Sequence, residues 1–234
     1  MSGYLDTIYF REEYGEHDYP QLLCDHIARE YFSRTGDVRG KTVLDIGSGK
    51  GNHLVGFGRR GMTSVGVDKQ DECVEILKEF EIRPCNLEEE ALPWDDNTFD
   101  YIFSKSVLEH VFNTTNFIRE SLRVLKPGGM AVLMTPDWRS QRDFFWDDYT
   151  HVKPFTRKGL QNACVINGFE KVDCSYFYQL PIVWEKPWLE RVLPVFNVVP
   201  DCFKWRDKEE SDFRTLIRFA KEKMLLCVAS KPER

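Results

Sequence analysis

The sequence predicts an α/β fold, a parallel sheet with helices on both faces, and three observations predict it. Apolar segments of strand length alternate with amphipathic segments of helix length over most of the 234 residues. Two strand segments, "TVLDI" (42–46) and "MAVLM" (130–134), are mostly apolar rather than alternating, which suits strands covered on both sides. A glycine-rich turn, "GSGKG" (47–51), joins the first strand to the helix after it.

The elements follow in order. Residues 19–32 place Leu22, Leu23, Ile27, Ala28 and Tyr31 at helical spacing, and Gly36, Asp37 and Gly40 end that helix. Residues 42–47 form a strand and a helix begins over 52–60. A second strand (63–68), a helix (71–80) and a short third strand (82–87) come next. The fourth strand is 99–105, followed by a helix over 115–125 with Phe117, Ile118, Ser121, Leu122 and Leu125 inward. Residues 127–136 read as a turn and a fifth strand. Thr156 caps a helix over 157–167 that stops at Gly168, and 169–177 and 223–230 are the last two strands. Residues 178–212 break the rhythm with Pro181, Pro187, Pro194, Pro200, Trp184, Trp188 and Trp205. The segment is too long for a connector and reads as a cap on the sheet edge, with a pocket wall or partner surface as the other reading.

Length sets a prior of one domain, and 42% hydrophobic with 30% charged residues is ordinary for a soluble globular chain. A net charge of −6 argues against a nucleic-acid partner, because phosphate neutralisation favours basic surfaces. The seven cysteines (Cys24, Cys73, Cys85, Cys164, Cys174, Cys202, Cys227) are odd in number and show no CxxC pair. Reduced thiols in a cytoplasmic compartment therefore fit better than a disulfide framework or a zinc knuckle. The sequence starts without a basic-then-apolar signal pattern, and no apolar run approaches the roughly 18 residues of a membrane span.

The turn carries the first chemistry. Gly47, Gly49 and Gly51 let the backbone approach a ligand closely at the positive end of a helix. Asp68 ends the second strand, where a carboxylate accepts hydrogen bonds from ribose hydroxyls. A dinucleotide turn wants Gly or Ala where this chain has Asn52, and no G-K-[ST] follows, so a dinucleotide is disfavoured and a P-loop excluded. The expected ligand is an adenosine derivative of another kind.

The segments "VLDIGSGKG", "VGVD", "LPWDDNTFDYIFSKSVLEHV" and "LRVLKPGGMAVLMTP", over about residues 40–136, resemble in order the motifs of class I S-adenosylmethionine-dependent methyltransferases, small-molecule branch. The resemblance implies a Rossmann-like, doubly wound, mostly parallel seven-stranded sheet with the last strand antiparallel. It implies one methyltransferase domain: an N-terminal helical cap (1–39), a cofactor-binding core (40–136) and an acceptor-side half (137–234) carrying the insertion 178–212. It implies S-adenosyl-L-methionine as cofactor and S-adenosyl-L-homocysteine as product. Asp45 with Gly47, Ser48, Gly49 and Gly51 would hold the methionine part, and Asp68 the ribose. Lys69 would flank the adenine, Asn86 and Leu87 would meet its edge, and Ser104 and Lys105 would line the methionine side. Asn86 stands where many relatives have Asp, which keeps an oxygen for the adenine amine but not its charge.

Methyl transfer is a direct displacement that needs alignment and a proton acceptor. The candidate bases are His110 in "SVLEHV" and His151 in "WDDYTHVKPFT", with Asp147 and Asp148 just before the latter. The blander readings are that His110 buttresses a turn, His151 holds a helix entry and the two aspartates are solvated. Some related quinone O-methyltransferases place a carboxylate three residues before the Glu-His pair and bind a divalent ion there. This chain has Ser106 at that position before Glu109 and His110, so no metal is expected, though Asp147 or Asp148 stands nearby in sequence. The N-terminal Tyr9, Tyr14, His17 and Tyr19 either close over the cofactor or pack.

The stretch "DDYTHVKPFT" with "GF" downstream resembles methyltransferases found beside glycosyltransferases, which modify glycans. It implies a hydroxyl of rhamnose or another sugar as acceptor and association with glycosyltransferase domains. Trp138, Phe144, Phe145, Trp146 and Tyr149 suit a stacking wall for a sugar and equally a packed loop. The alternatives are a quinone or phenol O-methyltransferase, with divalent-metal assistance, and a non-catalytic cofactor-binding module. An RNA or protein methyltransferase is a weaker one, because "SKSVLEH" lacks an amino-group motif after the fourth strand.

Overall fold

The computed structural model describes residues 19–69, 80–204 and 212–233. The helix expected over 71–80 and the residues Tyr9, Tyr14, His17 and Trp205 lie, Phe80 apart, outside the described residues.

Seven strands form one sheet: β1 (Thr42–Ile46), β2 (Thr63–Asp68), β3 (Glu81–Pro84), β4 (Phe99–Lys105), β5 (Leu125–Pro136), β6 (Glu170–Tyr178) and β7 (Lys223–Ser230). Their order is β3-β2-β1-β4-β5-β7-β6. Pairings from β3 through β5 are parallel, and β7 runs antiparallel to both of its neighbours, as the resemblance implied. The helices are α1 (Tyr19–Glu30), α2 (Asn52–Arg59), α3 (Thr114–Val124), α4 (Trp138–Gln141), α5 (Arg157–Ile166), α6 (Pro181–Glu185) and α7 (Asp212–Lys221).

The central strands are apolar without alternation because both faces are covered. Val43, Tyr101, Phe103 and Val132 point into a core with Leu23, Ile27 and Phe57 of α1 and α2. Leu44, Ile102, Ala131 and Leu133 point the other way, into a core with Phe117, Ile118 and Leu160 of α3 and α5. A period of 2 along each strand sorts neighbours to opposite layers. Helix α1 crosses α2 at Gly56, where an added Cβ would stand 2.7 Å from Cys24 Sγ. The buried stripe of α1 is Leu23, Cys24, Ile27 and Ala28, so Leu22, expected inward, lies instead on the solvent side at 45% exposure. In α3 Phe117, Ile118 and Ser121 are buried as expected, joined by Val124.

Two boundaries move for local reasons. Strand β3 stops at Pro84; residues 85–87 turn away, with Glu88 N–H donating to Asn86 Oδ1 (3.2 Å) and Asn86 N–H to Glu90 (2.7 Å). The expected turn at 127–129 is absorbed into β5 as an irregularity against β4, where Gly129 fits between Lys126 O and Asp100 O. Thr156 caps α5, accepting from Gly159 N–H at 3.2 Å. Residues 178–204 form α6 and three short 3₁₀ turns, with α7 after them. Trp184 stacks on His26 of α1 (centroids 5.0 Å apart) and on Phe177, and its indole donates to Tyr178 O at 2.7 Å. The segment covers the ends of β6 and β7 beside α1, and its described residues stand away from the cavity described next.

Candidate active site

The sheet changes winding direction between β1 and β4, and a crevice opens there beyond the carboxyl ends of the strands. Gly47, Gly49 and Gly51 hold φ of +79°, +48° and +71°, the left-handed region that disfavours other residues. Gly47 and Ser48 N–H both donate to Val67 O (2.8 and 3.1 Å), tying the turn to β2. An added Cβ at Gly47 would run into the Val107 side chain. Gly49 N–H donates to Asp68 Oδ2 at 3.0 Å, so the acid at the end of β2 braces the turn from the ligand side.

A cavity of about 310 Å³ fills this crevice. Of the residues the sequence singled out, Gly47, Gly49, Asp68, Lys69, Asn86, Leu87 and His110 stand on its wall. Asp45 lies beneath the turn, 1% exposed; neither carboxylate oxygen has a hydrogen-bond partner, and His53 Nδ1 stands 3.6 Å from one of them. Ser48 is buried against Gly66, and Gly51 caps α2 in the left-handed conformation, so both shape the turn from behind. Ser104 and Lys105 are not on the wall. Ser104 spends its hydroxyl on Ile46 O at 2.9 Å, linking β4 to β1. The chain then leaves β4 with Ser106 at φ +57°, and this turn delivers Ser106 and Val107 to the wall in their place. Tyr149 of the aromatic loop also lines the cavity, as do Glu88, Val111 and Thr150, which were not singled out.

Around His110 two distant pieces of chain meet. His110 ends a 3₁₀ turn after β4, and His151 belongs to the loop after β5; their rings lie 4.7 Å apart. The loop is pinned to the turn, since Val152 and Lys153 N–H both donate to Glu109 O (2.8 and 3.1 Å). His110 Nδ1 sits 2.9 Å from Thr150 Oγ1, and Thr150 Oγ1 sits 2.6 Å from Asp148 Oδ1. His151 Nδ1 donates to Phe145 O at 2.6 Å, and its Nε2 is 3.8 Å from Asp148 Oδ2. Asp147 lies in the adjacent exposed turn.

Burial dominates the electrostatics. It pushes Glu109 up to about 7 against the opposing pull of its own amide and of the Thr135 hydroxyl, which donates to it at 2.8 Å. Burial first, and the neighbouring His151 second, push His110 down to about 4, so the imidazole is neutral at neutral pH. Burial also pushes Asp148 up, but Thr150's hydroxyl and amide and the two imidazoles outweigh it and hold the carboxyl below its ordinary range.

Glu109, His110 and His151 each bring one ligand-type atom within 4.8 Å of the others, a donor set able to hold a divalent cation. The sequence comparison with position 106 missed this set because its third member comes from the far loop. The aromatic loop divides: Phe145 is buried against His151 (4.4 Å) and Trp138 (5.5 Å), while Trp146 and Tyr149 are 53% and 85% exposed. Among the described residues, no helix is long and apolar enough to cross a membrane.

A doubly wound sheet with a glycine turn on β1, an acid on β2 and a cavity between them defines a nucleoside-cofactor enzyme domain. The family described as "Methyltransferase domain" matches residues 15–173, and the chain belongs to that family. It is similar to an uncharacterized methyltransferase of Mycobacterium sp. (strain KMS), 37% identical over 42% of this chain and 40% of that protein. It is similar too to the mitochondrial ubiquinone biosynthesis O-methyltransferase of Homo sapiens, 33% identical over 41% of this chain and 29% of that one. The chain therefore spans well under half the length of these curated relatives. In fold it matches a SAM dependent methyltransferase from Archaeoglobus fulgidus (TM-score 0.62, 18% identity, covering 91% and 94% of the two chains). Residues 15–173 are a methyltransferase domain.

Proposed function

We propose that the domain transfers a methyl group to a sugar hydroxyl of a glycan or glycoconjugate, with His110 as general base. The observation that carries this reading is that one cavity is lined both by the glycine turn with Asp68 and by the neutral imidazole of His110.

The residues present fit the cofactor. Asp45's buried carboxylate lacks a hydrogen-bond partner under the turn, which suits a cationic amino-acid portion. Asp68 offers a carboxylate to vicinal hydroxyls, and Asn86 an amide oxygen to an amine. Bound there, S-adenosylmethionine supplies an electrophilic methyl group. The chain's own part is to exclude water, orient the acceptor and take its proton at His110. Tyr149 lines the cavity and is exposed, and its ring suits the apolar face of a sugar. Association with glycosyltransferase domains in the cytoplasm belongs to the same reading.

The test is a panel of sugars, nucleotide sugars and phenols incubated with methyl-labelled cofactor, with products resolved by mass. Label on a sugar oxygen is expected; label on phenols alone contradicts the acceptor assignment. Asp68→Ala is expected to weaken S-adenosylhomocysteine binding by about 10–100-fold in calorimetry, the worth of one or two charge-assisted hydrogen bonds. Unchanged affinity would contradict the ribose role.

The Glu109, His110 and His151 set favours a second reading, a metal-assisted quinone or phenol O-methyltransferase. Chelation separates the two. On the sugar reading EDTA leaves kcat within about twofold; on the metal reading kcat falls at least tenfold and returns with Mg²⁺ or Mn²⁺.

A further inference from the structure

We infer that Thr150 is a positioning residue whose hydroxyl bridges the Asp148 carboxylate to the His110 imidazole and fixes the tautomer that leaves Nε2 basic. The inference rests on the assignment of His110 as base.

The direction of each hydrogen bond follows from counting protons. Thr150 has a single hydroxyl proton. Its Oγ1 lies 2.6 Å from Asp148 Oδ1, and an ionised carboxylate only accepts, so the proton points there. The same Oγ1 lies 2.9 Å from His110 Nδ1, and with its proton committed it can only accept on that side. Nδ1 therefore carries hydrogen. The Thr150 carbonyl gives the same answer independently: it stands 3.3 Å from Nδ1, and a carbonyl oxygen cannot donate. A neutral imidazole protonated at Nδ1 has its lone pair at Nε2.

The bridge is held firmly. Asp148 Oδ1 accepts from Thr150 N–H as well (2.9 Å), closing a tight turn around the hydroxyl. Asp148 Oδ2 faces His151 Nε2 at 3.8 Å, and His151 is itself fixed by Phe145 O. Glu109 O clamps the next two residues of the loop. Thr150 also lines the cavity, so the bridge reaches its wall. In the reaction the acceptor O–H bond breaks and an Nε2–H bond forms. Nδ1 keeps its proton, and the imidazolium charge is met through Thr150 Oγ1 by the Asp148 carboxylate. The proton leaves Nε2 to solvent after turnover.

A methyl or a second carbon in place of the hydroxyl removes one acceptor and severs the link to Asp148. Thr150→Val is expected to lower kcat by about 10–100-fold, less than the roughly 10²–10⁴-fold attributed to a general base itself, with cofactor Kd and acceptor KM within about threefold. Thr150→Ser restores kcat to within about threefold. The direct readout is long-range proton–nitrogen NMR of ¹⁵N-histidine-labelled protein, with the His110 signals identified by their loss in His110→Gln. In the unsubstituted protein Nδ1 is expected protonated and Nε2 unprotonated, and Thr150→Val is expected to populate the Nε2–H form. An Nε2–H tautomer in the unsubstituted protein, or a Thr150→Val kcat equal to the unsubstituted rate, overturns the inference. The NMR arm needs no acceptor. No turnover on any sugar, with His110 protonated at Nδ1, sinks the acceptor assignment and leaves the positioning role standing.

Discussion

Replacing His110 with alanine is expected to lower kcat for methyl transfer by about 10²–10⁴-fold, the span attributed to positioned general bases. Cofactor affinity is expected to stay within about threefold, because other residues, Asp45, Asp68 and Asn86, fit the cofactor's amino-acid, ribose and adenine parts. The signature is a loss in kcat and in kcat/KM together, as for an interaction made only in the transition state. The pH profile carries the same assignment. His110 is lowered to about 4, so it is competent above that value, and activity is lost as pH falls through about 4. A group left near its ordinary value would lose activity near 6.5 instead. A profile with its acid limb near 6.5 therefore contradicts the buried environment assigned to His110.

Gly47→Ala has the second-largest expected effect, on cofactor binding. At φ +79° an alanine is strained by about 1–2 kcal/mol, and its Cβ meets Val107, so the turn must move. Moving it disturbs the two amides on Val67 O and the Gly49 amide on Asp68. S-adenosylhomocysteine affinity is expected to fall by at least about 100-fold, and the urea midpoint to drop by the equivalent of about 1–3 kcal/mol. Gly61→Ala is the control. It shares a left-handed φ of +76° but sits against Arg39, away from the cavity. It is expected to cost similar stability and leave affinity unchanged; equal loss of affinity in both variants contradicts a local role for Gly47.

Much of the fold was legible because strand and helix periods are local properties. "TVLDI" and "MAVLM" announced two-sided burial, and Val43 and Leu44 do point into different cores. Leu22 misled because two adjacent leucines both fit a helical stripe, and only the partner helix decides between them. The cavity wall was legible where glycine and acid positions are fixed by backbone geometry. It failed at Ser104, because strand alternation does not say where the chain turns out of the sheet. The left-handed residue Ser106 decides that. Residues 178–204 were unreadable as helix because prolines break any period, yet proline at the first position of short turns is compatible with them. The wall opposite was legible only as separate residues. His110 and Thr150 are 40 positions apart, and what joins them to Asp148 is a loop tied to one backbone carbonyl. No local pattern encodes that contact, nor the approach of His151 to Glu109.

The most direct measurement is single-turnover transfer from methyl-labelled S-adenosylmethionine to a sugar acceptor, by the unsubstituted protein and His110→Ala at equal cofactor occupancy. The expected result is label on a sugar oxygen, formed at least about 100-fold more slowly by the variant. Equal rates for the two proteins, or no labelled sugar from any acceptor while the cofactor is fully bound, would contradict the assignment of this cavity as a sugar O-methyltransferase site with His110 as its base.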